Sequence, residues 1–370
     1  MGKHKFNYEW TLKDAKFTKD KGKVFSCFAC GGGSTMGYKL SGFDVIGMNE
    51  IDPKMASAYI TNHKPKYSYV EDIRTFKGRT DLPKELYDLD IFDGSPPCSS
   101  FSMSGNREKD WSKEKIFREG QSEQILDTLF FDFIELAEKL QPKVVIAENV
   151  KGILMGEAKE YVKKILKDFD KAGYYVKEYL LNSMDMGVPQ KRERVFFIAI
   201  RKDLAELLPK NISLLFNDYP IIDLTFKEQI IKFGKIKAND YIDENAEMTD
   251  YKRNIWNNRK IGDLDFSCTL GRIEDRPNSM FNNNYIYDDK VMNTITSKKN
   301  DVLMSEPRHC NFKENMRSAT FPMDYDFKKM PYRYLLGMSV PPIMTAQIAS
   351  RVYEQWLSKL NIPQLPTISN

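Results

Sequence analysis

The chain has 370 residues and the composition of an ordinary folded protein, with 41% hydrophobic, 29% charged and 12% aromatic residues. Its formal net charge of +4 is compatible with a nucleic-acid partner but does not require one, because phosphate-binding surfaces are local. No apolar run approaches the ~18–20 residues of a membrane-spanning helix, and the lysine-rich N-terminus lacks the apolar core of a signal peptide, so we expect a cytoplasmic protein with no membrane partner.

The first half of the chain is predicted to alternate strands with helices. A buried strand over residues 23–29 precedes a glycine-rich break, a helix through Leu40 and a second strand over 43–48. An amphipathic helix with an apolar face between Ala158 and Phe169 ends at Gly173. Further buried strands are predicted at residues 89–92, 144–147, 174–181 and 195–200. This alternation indicates an α/β fold, a Rossmann-like and mostly parallel sheet with helices on both faces.

After residue 201 the pattern changes. Residues 240–300 are rich in Asn, Asp, Lys, Arg and Tyr and show weak periodicity, which predicts a less regular second domain. A helix returns near the C-terminus, where an apolar stripe predicts packing against the first domain: Ala346, Ala349, Tyr353, Trp356 and Leu360. We therefore predict a catalytic domain over residues 1–204, completed by 332–370, and a smaller domain over 205–331.

The glycine-rich turn Gly31-Gly32-Gly33 is followed by Glu50 at the end of the next strand. In doubly wound sheets the first glycine turn lets backbone approach a ligand, and an acid ending the next strand accepts from ribose hydroxyls. Asp72 is chemically able to accept from an adenine amino group. Dinucleotide enzymes and methyltransferases share this order, so the turn alone leaves both classes open.

Cys98 follows two prolines at the end of a predicted strand. Pro96 and Pro97 lock φ and remove backbone donors, so the chain presents Cys98 in a fixed direction. A cysteine at the carboxyl edge of the sheet is a credible nucleophile, although a buried structural cysteine is the alternative. The chain has five cysteines, which favours reduced thiols over a disulfide framework. The Cys27-x-x-Cys30 pair has no second pair after it, so we expect no metal.

Two further polar groups end predicted strands. Glu148 follows the strand over 144–147, where a partly desolvated carboxyl is suited to donate a proton. Arg192 and Arg194 precede the strand over 195–200 and are predicted to project to the same side. Two guanidinium groups on one face can hold a carboxylate and a substrate phosphate or carbonyl.

Together these segments resemble the motifs of the cytosine-5 DNA methyltransferase family. Phe28-Ala29-Cys30-Gly31-Gly32-Gly33 is similar to the opening motif, with Cys30 in place of a glycine. Pro97-Cys98-Ser99-Ser100-Phe101-Ser102 is similar to the nucleophile motif, with Ser99 in place of a glutamine. The remaining matches run in the family's order through Glu148-Asn149-Val150, Gln190-x-Arg192-x-Arg194, Thr294-Ile295-Thr296, Arg308 to Pro322, and Gly337-Met338-Ser339-Val340-Pro341, where Met338 replaces an asparagine.

The resemblance implies S-adenosyl-L-methionine as cofactor, S-adenosyl-L-homocysteine as product, and a methyltransferase fold with a target-recognition domain. It implies that Cys98 adds to cytosine, that Glu148 protonates the ring, and that Arg192 and Arg194 hold the base and the Glu148 carboxyl. It assigns the cofactor to Phe28, Gly31, Gly33, Glu50, Ile51, Asp72, Ile73, Pro96, Leu129 and Val340.

The implied partner is double-stranded DNA, together with a cognate restriction endonuclease acting on the same site, and the protein is expected to be a monomer. The cytosine must leave the stacked duplex, and residues 99–121 are predicted to close over it. The alternatives are an RNA (tRNA) cytosine-5 methyltransferase of the same fold and a non-catalytic DNA-binding relative. An amino-group methyltransferase would place an aromatic residue where Cys98 stands, and a dinucleotide oxidoreductase would leave Cys98 and Glu148 unused.

Overall fold

A computed structural model describes residues 4–97, 128–156, 158–209, 219–241, 243, 246–275, 283–297 and 301–360. Cys98 and the predicted closing loop over residues 99–121 lie outside the described residues. Within the described ranges, no helix is both long and apolar enough to cross a membrane.

The strands are β1 (Lys23–Cys27), β2 (Asp44–Asn49), β3 (Tyr67–Tyr69), β4 (Ile91–Gly94), β5 (Val144–Val150), β6 (Tyr174–Asn182), β7 (Gln190–Lys191), β8 (Glu193–Arg201), β9 (Tyr285–Ile286), β10 (Met292–Asn293) and β11 (Val302–Leu303). The helices are α1 (Gly33–Leu40), α2 (Pro53–His63), α3 (Ile73–Gly78), α4 (Leu129–Leu140), α5 (Ala158–Lys171), α6 (Lys202–Ala205), α7 (Asp250–Asn257), α8 (Phe266–Ile273), α9 (Phe312–Ala319), α10 (Tyr332–Met338), α11 (Pro342–Val352) and α12 (Ser358–Leu360), with a π-helical turn at Tyr353–Leu357.

Seven strands form one sheet in the order β3-β2-β1-β4-β5-β8-β6. The pairs from β3 to β5 are parallel, and β8 pairs antiparallel with β5. The strand order reverses between β1 and β4, and ligands of open α/β sheets bind beyond the carboxyl ends of the strands at such a switch point. The predicted α/β fold with a mostly parallel sheet is confirmed.

The chain folds into two compact units whose bounds differ from the predicted division at residue 204. The sheet unit comprises Phe17–Leu181, Glu193–Thr225 and Thr345–Asn370, and the second unit comprises Met1–Lys16, Asn182–Arg192 and Phe226–Met344. The C-terminal segment belongs to the sheet unit, where the Tyr353 ring contacts Phe43 edge-on at 6.1 Å. The expected packing of the last helix on the first domain is therefore confirmed, while the domain boundaries stay a prediction.

Aromatic rings fill one face of the sheet. Phe92 stacks on Phe133 of α4 with ring centroids 4.6 Å apart, and Phe25 stacks on Phe76 of α3 at 5.4 Å. All four rings are fully buried. Every residue of β4, and every residue of β1 except Lys23, is buried, so both faces of these strands are covered. This burial explains why parallel strands are apolar runs rather than alternating patterns.

Two strands continue further than the sequence predicts. The prediction that one strand stops at residue 92 is wrong, because β4 continues through Asp93 to Gly94. A Cβ on Gly94 would lie 2.4 Å from the Phe133 ring, so only glycine fits where this strand packs against α4. β5 likewise runs through Glu148 to Val150, so Glu148 is held in a strand rather than in the loop after it.

Candidate active site

The chain leaves β1 through a turn with unusual backbone conformations. Phe28 and Cys30 have φ values of +52° and +49°, and Gly32 has φ +82°. Glycine adopts such left-handed conformations at little steric cost. The backbone at Cys30 would therefore suit a glycine, the residue that Cys30 replaces in the opening motif. The turn rests on α2, because the His63 Nε2 atom lies 3.3 Å from the Gly31 carbonyl oxygen and a Cβ on Gly32 would lie 2.2 Å from that same Nε2. Gly33 then begins α1.

Glu50 is fixed against this turn. Its Oε2 accepts from the Cys30 backbone N–H at 2.8 Å, and its Oε1 accepts from the Asp52 N–H at 2.9 Å. Asp52 in turn caps α2 by accepting from the Lys54 and Met55 N–H groups. The carboxylate is 8% exposed, so its direction is set at the carboxyl end of β2, beside the glycine-rich turn.

Asp72 ends the segment after β3 and caps α3. One of its oxygens accepts from the Arg74 N–H at 2.8 Å, and the Arg74 guanidinium contacts both oxygens at 2.9 and 2.6 Å. These hydrogen bonds with Arg74 lower the pKa of Asp72. The carboxylate is therefore ionised and held at the rim of the same sheet edge.

The apolar residues that were predicted to contact the cofactor differ in how deeply they are buried. Ile73 and Leu129 are 2% and 4% exposed and belong to the core, so each offers little surface to a ligand. Phe28 and Ile51 are half-buried. The Phe28 ring packs against Phe133 with ring centroids 6.5 Å apart.

The segment that leads to Cys98 is tied to β5. The Asn149 side-chain amide donates to the Pro96 carbonyl at 3.2 Å, and both residues are buried. The end of β5 therefore sets the path of the chain as it leaves β4. Sequence reasoning placed Asn149 in a motif but did not predict this contact.

Glu148 and Arg194 form an ion pair across neighbouring strands. Arg194 Nε donates to Glu148 Oε1 at 2.9 Å, and their side chains are 16% and 12% exposed. Burial lowers the pKa of Arg194, and the charge of Glu148 acts in the opposite direction. The arrangement holds one carboxyl oxygen of Glu148 against the guanidinium of Arg194.

Arg192 does not continue the strand with Arg194. β7 ends at Lys191 and β8 begins at Glu193, so Arg192 lies between two strands, and it binds other groups than Arg194 does. Arg192 belongs to the second unit, is 2% exposed, and donates to the Gly337 carbonyl at 2.9 Å and to the Ile295 carbonyl at 3.4 Å. Val340 is a 4% exposed residue of the same unit.

One buried acid of the sheet unit was not predicted as a site residue. Asp93 is 4% exposed and accepts from the Ser26 and Tyr38 hydroxyl groups. The available signal was an acid directly after the apolar residues of a core strand. That signal was interpreted as the end of the strand.

A family model identifies the relatives of this chain. The model described as C-5 cytosine-specific DNA methylase matches residues 22–354. The Type II methyltransferase M.FnuDI of Fusobacterium nucleatum is 39% identical over 199 residues, which are 54% of this chain and 51% of that protein. The chain spans about half the length of the first curated relatives it matches.

Other comparisons extend over more of the chain. The Type II methyltransferase M1.HphI of Haemophilus parahaemolyticus is 26% identical over 337 residues, covering 88% of this chain and 85% of that protein. A crystal structure of a Spodoptera frugiperda DNMT2 mutant superposes with a TM-score of 0.60 at 17% identity, covering 90% of this chain and 99% of that one. At that identity the likeness shows the fold.

Proposed function

The chain belongs to the C-5 cytosine-specific DNA methylase family, and we propose that it transfers a methyl group from S-adenosyl-L-methionine to carbon 5 of cytosine in a specific duplex DNA sequence. Cys98 is the proposed nucleophile, and Glu148, Arg192 and Arg194 are the proposed catalytic partners. The observation that carries the proposal is the ion pair between Glu148 and Arg194 at 2.9 Å. Asn149, the residue after Glu148, donates a hydrogen bond to the Pro96 carbonyl.

The residues at the sheet edge fit the chemistry of S-adenosyl-L-methionine. Glu50 offers a fixed carboxylate for the ribose hydroxyls, and Asp72 an ionised one for the adenine amino group. The first turn of α1 has no side-chain cap on its backbone N–H groups, which suits the carboxylate of the amino-acid part. Phe28 and Ile51 supply half-buried apolar surface.

The remaining proposed cofactor residues are Gly31, Gly33, Ile73, Pro96, Leu129 and Val340. When bound, S-adenosyl-L-methionine supplies a methyl group on a positively charged sulfur, and S-adenosyl-L-homocysteine is left.

The protein's own groups activate the base. Carbon 5 of cytosine is a poor nucleophile, so the Cys98 thiolate forms a bond to carbon 6 and the ring electrons move toward carbon 5. Glu148 gives a proton to ring nitrogen 3, which removes the charge that this addition creates. After methylation the proton on carbon 5 leaves to a base, and the carbon 6–sulfur bond breaks to restore the ring and Cys98.

Arg194 keeps the Glu148 carboxyl in place during this proton transfer, and Arg192 is proposed to contact the base. The cytosine must be flipped out of the duplex, at a cost of a few kcal/mol. We propose residues 1–204 with 332–370 as the catalytic domain, and residues 205–331 as the surface that reads the DNA. The proposed partners are duplex DNA and a restriction endonuclease acting on the same sequence.

A trapping experiment tests this function. Fragmented genomic DNA copied with 5-fluorodeoxycytidine contains many sequences and blocks release of Cys98, because fluorine cannot leave as the carbon-5 proton does. With S-adenosyl-L-methionine present, we expect a covalent protein–DNA adduct that withstands denaturant. Cys98→Ala should abolish it, and Cys268→Ala, which removes another free thiol, should retain it.

The same assay separates duplex DNA from RNA. Transcripts containing 5-fluorocytidine should give no adduct at concentrations that saturate the DNA reaction. Trapping on RNA alone would favour the RNA cytosine-5 methyltransferase. No adduct on either nucleic acid, or an adduct that survives Cys98→Ala, would contradict the proposed mechanism.

A further inference from the structure

Two cations of the second unit have no acidic partner within the ranges that the structure describes. Lys252 stands in the first turn of α7 and Arg333 in the first turn of α10, and both side chains are half-buried. None of the described carboxylates lies within ion-pair distance of either side chain. The Lys252 Nζ atom instead lies 3.2 Å from Nε2 of His309. Because an ammonium group can only donate, Nε2 accepts, and His309 adds no negative charge.

Packing around His309 brings the start of α10 toward Lys252. The ring of Tyr332, the residue before Arg333, lies edge-on against Phe312 of α9 with the ring centroids 5.0 Å apart. Phe312 is three residues beyond His309, which is buried and 4% exposed. The first turn of α10 therefore lies beside the segment that holds the Lys252 ammonium group.

The two positive charges are unfavourable in the protein by itself. Burial, followed by the charge of Arg333, lowers the pKa of Lys252. The dipole of α7 also opposes a cation in the first turn of that helix. An anion bound between the two side chains would offset both effects. It would also accept from the Arg333 guanidinium, for which the described part of the chain offers no acceptor.

We propose that Lys252 and Arg333 together hold one backbone phosphate of duplex DNA, while His309 keeps the Lys252 ammonium group in position. The inference rests on the proposed function, because it names residues that position the DNA substrate of that reaction. A guanidinium group binds two phosphate oxygens at once and an ammonium group binds as a point charge, so the pair suits a phosphodiester. Such a contact fixes the register of the duplex and carries no sequence information.

The test is the affinity of the full chain for a mixed-sequence DNA duplex, measured by fluorescence anisotropy between about 50 and 200 mM salt. Because a phosphate contact does not depend on sequence, the target sequence need not be known. Arg333→Gln and Lys252→Gln should each weaken binding about 10-fold. In the double variant the two losses should not multiply, and the slope of log affinity against log salt should fall by about one rather than two, since the cations share one phosphate.

Lys313→Gln is the matched control. Lys313 lies on α9 in the same unit, is half-buried and pairs with Asp240 at 3.5 Å. This variant removes one positive charge, as the other two do, and should keep the affinity and the salt slope of wild type. Arg333→Lys keeps the charge and should keep most of the slope.

Thermal unfolding without DNA separates this role from a structural one. Arg333→Gln removes a charge that Lys252 repels, so it should unfold at the same temperature as wild type or a higher one. Earlier unfolding with an unchanged salt slope, an equal loss of affinity in Lys313→Gln, or a loss confined to duplex RNA would each overturn the inference while the Cys98 adduct stands. Absence of that adduct in wild type would instead remove the proposed function, and this inference with it.

Discussion

Arg194 of β8 and Glu148 of β5 meet diagonally across an antiparallel strand pair, with Nε 2.9 Å from Oε1. The register pairs Arg194 with Val150, two residues beyond Glu148, so both side chains project from one face of the sheet. Because both side chains are mostly buried, each charge depends on the other for compensation. This dependence has a measurable consequence for stability.

Removing the Arg194 charge should cost less stability once the Glu148 charge has also been removed. Arg194→Met leaves the Glu148 charge uncompensated and should lower the free energy of unfolding by about 3 kcal/mol. In the Glu148→Gln background the same substitution should cost about 1–2 kcal/mol less, which is the coupling of residues in contact. Urea denaturation of the four proteins gives the coupling energy. Additive effects, within about 0.5 kcal/mol, would show that the pair is not a coupled unit.

Glu50 should control cofactor affinity through its geometry. Glu50→Ala removes a carboxylate that two backbone N–H groups orient, so affinity for S-adenosyl-L-methionine should fall about 100-fold. Glu50→Gln keeps the shape and loses the charge, and should fall about 10-fold. Calorimetric titration without DNA measures both. Glu85→Gln is a control, because Glu85 is an acid that pairs with Lys66. An equal loss in Glu85→Gln would indicate general electrostatics rather than a ribose contact.

The backbone at Cys30 should reverse the usual order of alanine and glycine. Because φ is +49° there, Cys30→Gly should be more stable than Cys30→Ala by about 1 kcal/mol. At Ser57, which is exposed in α2, the alanine variant should be the more stable by a similar amount. Thermal unfolding of the two variant pairs measures the difference. The same order at both positions would argue against a strained turn.

His63 should make the sheet unit sensitive to acid. Burial, with the Lys39 charge, lowers the pKa of His63 to about 3. Since the unfolded chain has the ordinary His value of about 6.5, the contribution is fully present above that pH. It is lost progressively as the pH falls toward 3, by roughly 5 kcal/mol in total. His63→Asn should flatten this part of the stability curve. Denaturant midpoints from pH 7 to pH 4 check it, and parallel curves for the two proteins would show that His63 is solvated.

The resemblance to the family and the α/β fold both followed from local patterns. Parallel strands buried on both faces read as short apolar runs, so β1, β2, β5 and β8 were found within a few residues of their observed bounds. The glycine-rich turn and Glu50 were likewise visible, because a tight turn and an acid at a strand end are properties of neighbouring residues.

The partners of Arg192 and Arg194 could not be predicted from local sequence patterns. Arg192 and Arg194 stand two apart in the sequence and looked equivalent, yet Arg194 pairs with Glu148 while Arg192 donates to the carbonyls of Ile295 and Gly337. Which of them meets a given acid depends on strand register and on segments more than a hundred residues away. No periodicity within a short window contains that information.

The sequence by itself determined the sheet architecture, the family and the order of the chemically active residues, because these rest on short-range spacing and residue type. Only the tertiary structure decided that Asp93 is buried beside Ser26 and Tyr38, that Glu50 is held by the Cys30 and Asp52 backbone, and that Glu148 lies within a strand opposite Arg194. The reason is physical: burial, desolvation and charge pairing depend on distances through space, which the fold sets by bringing together strands that the chain keeps far apart.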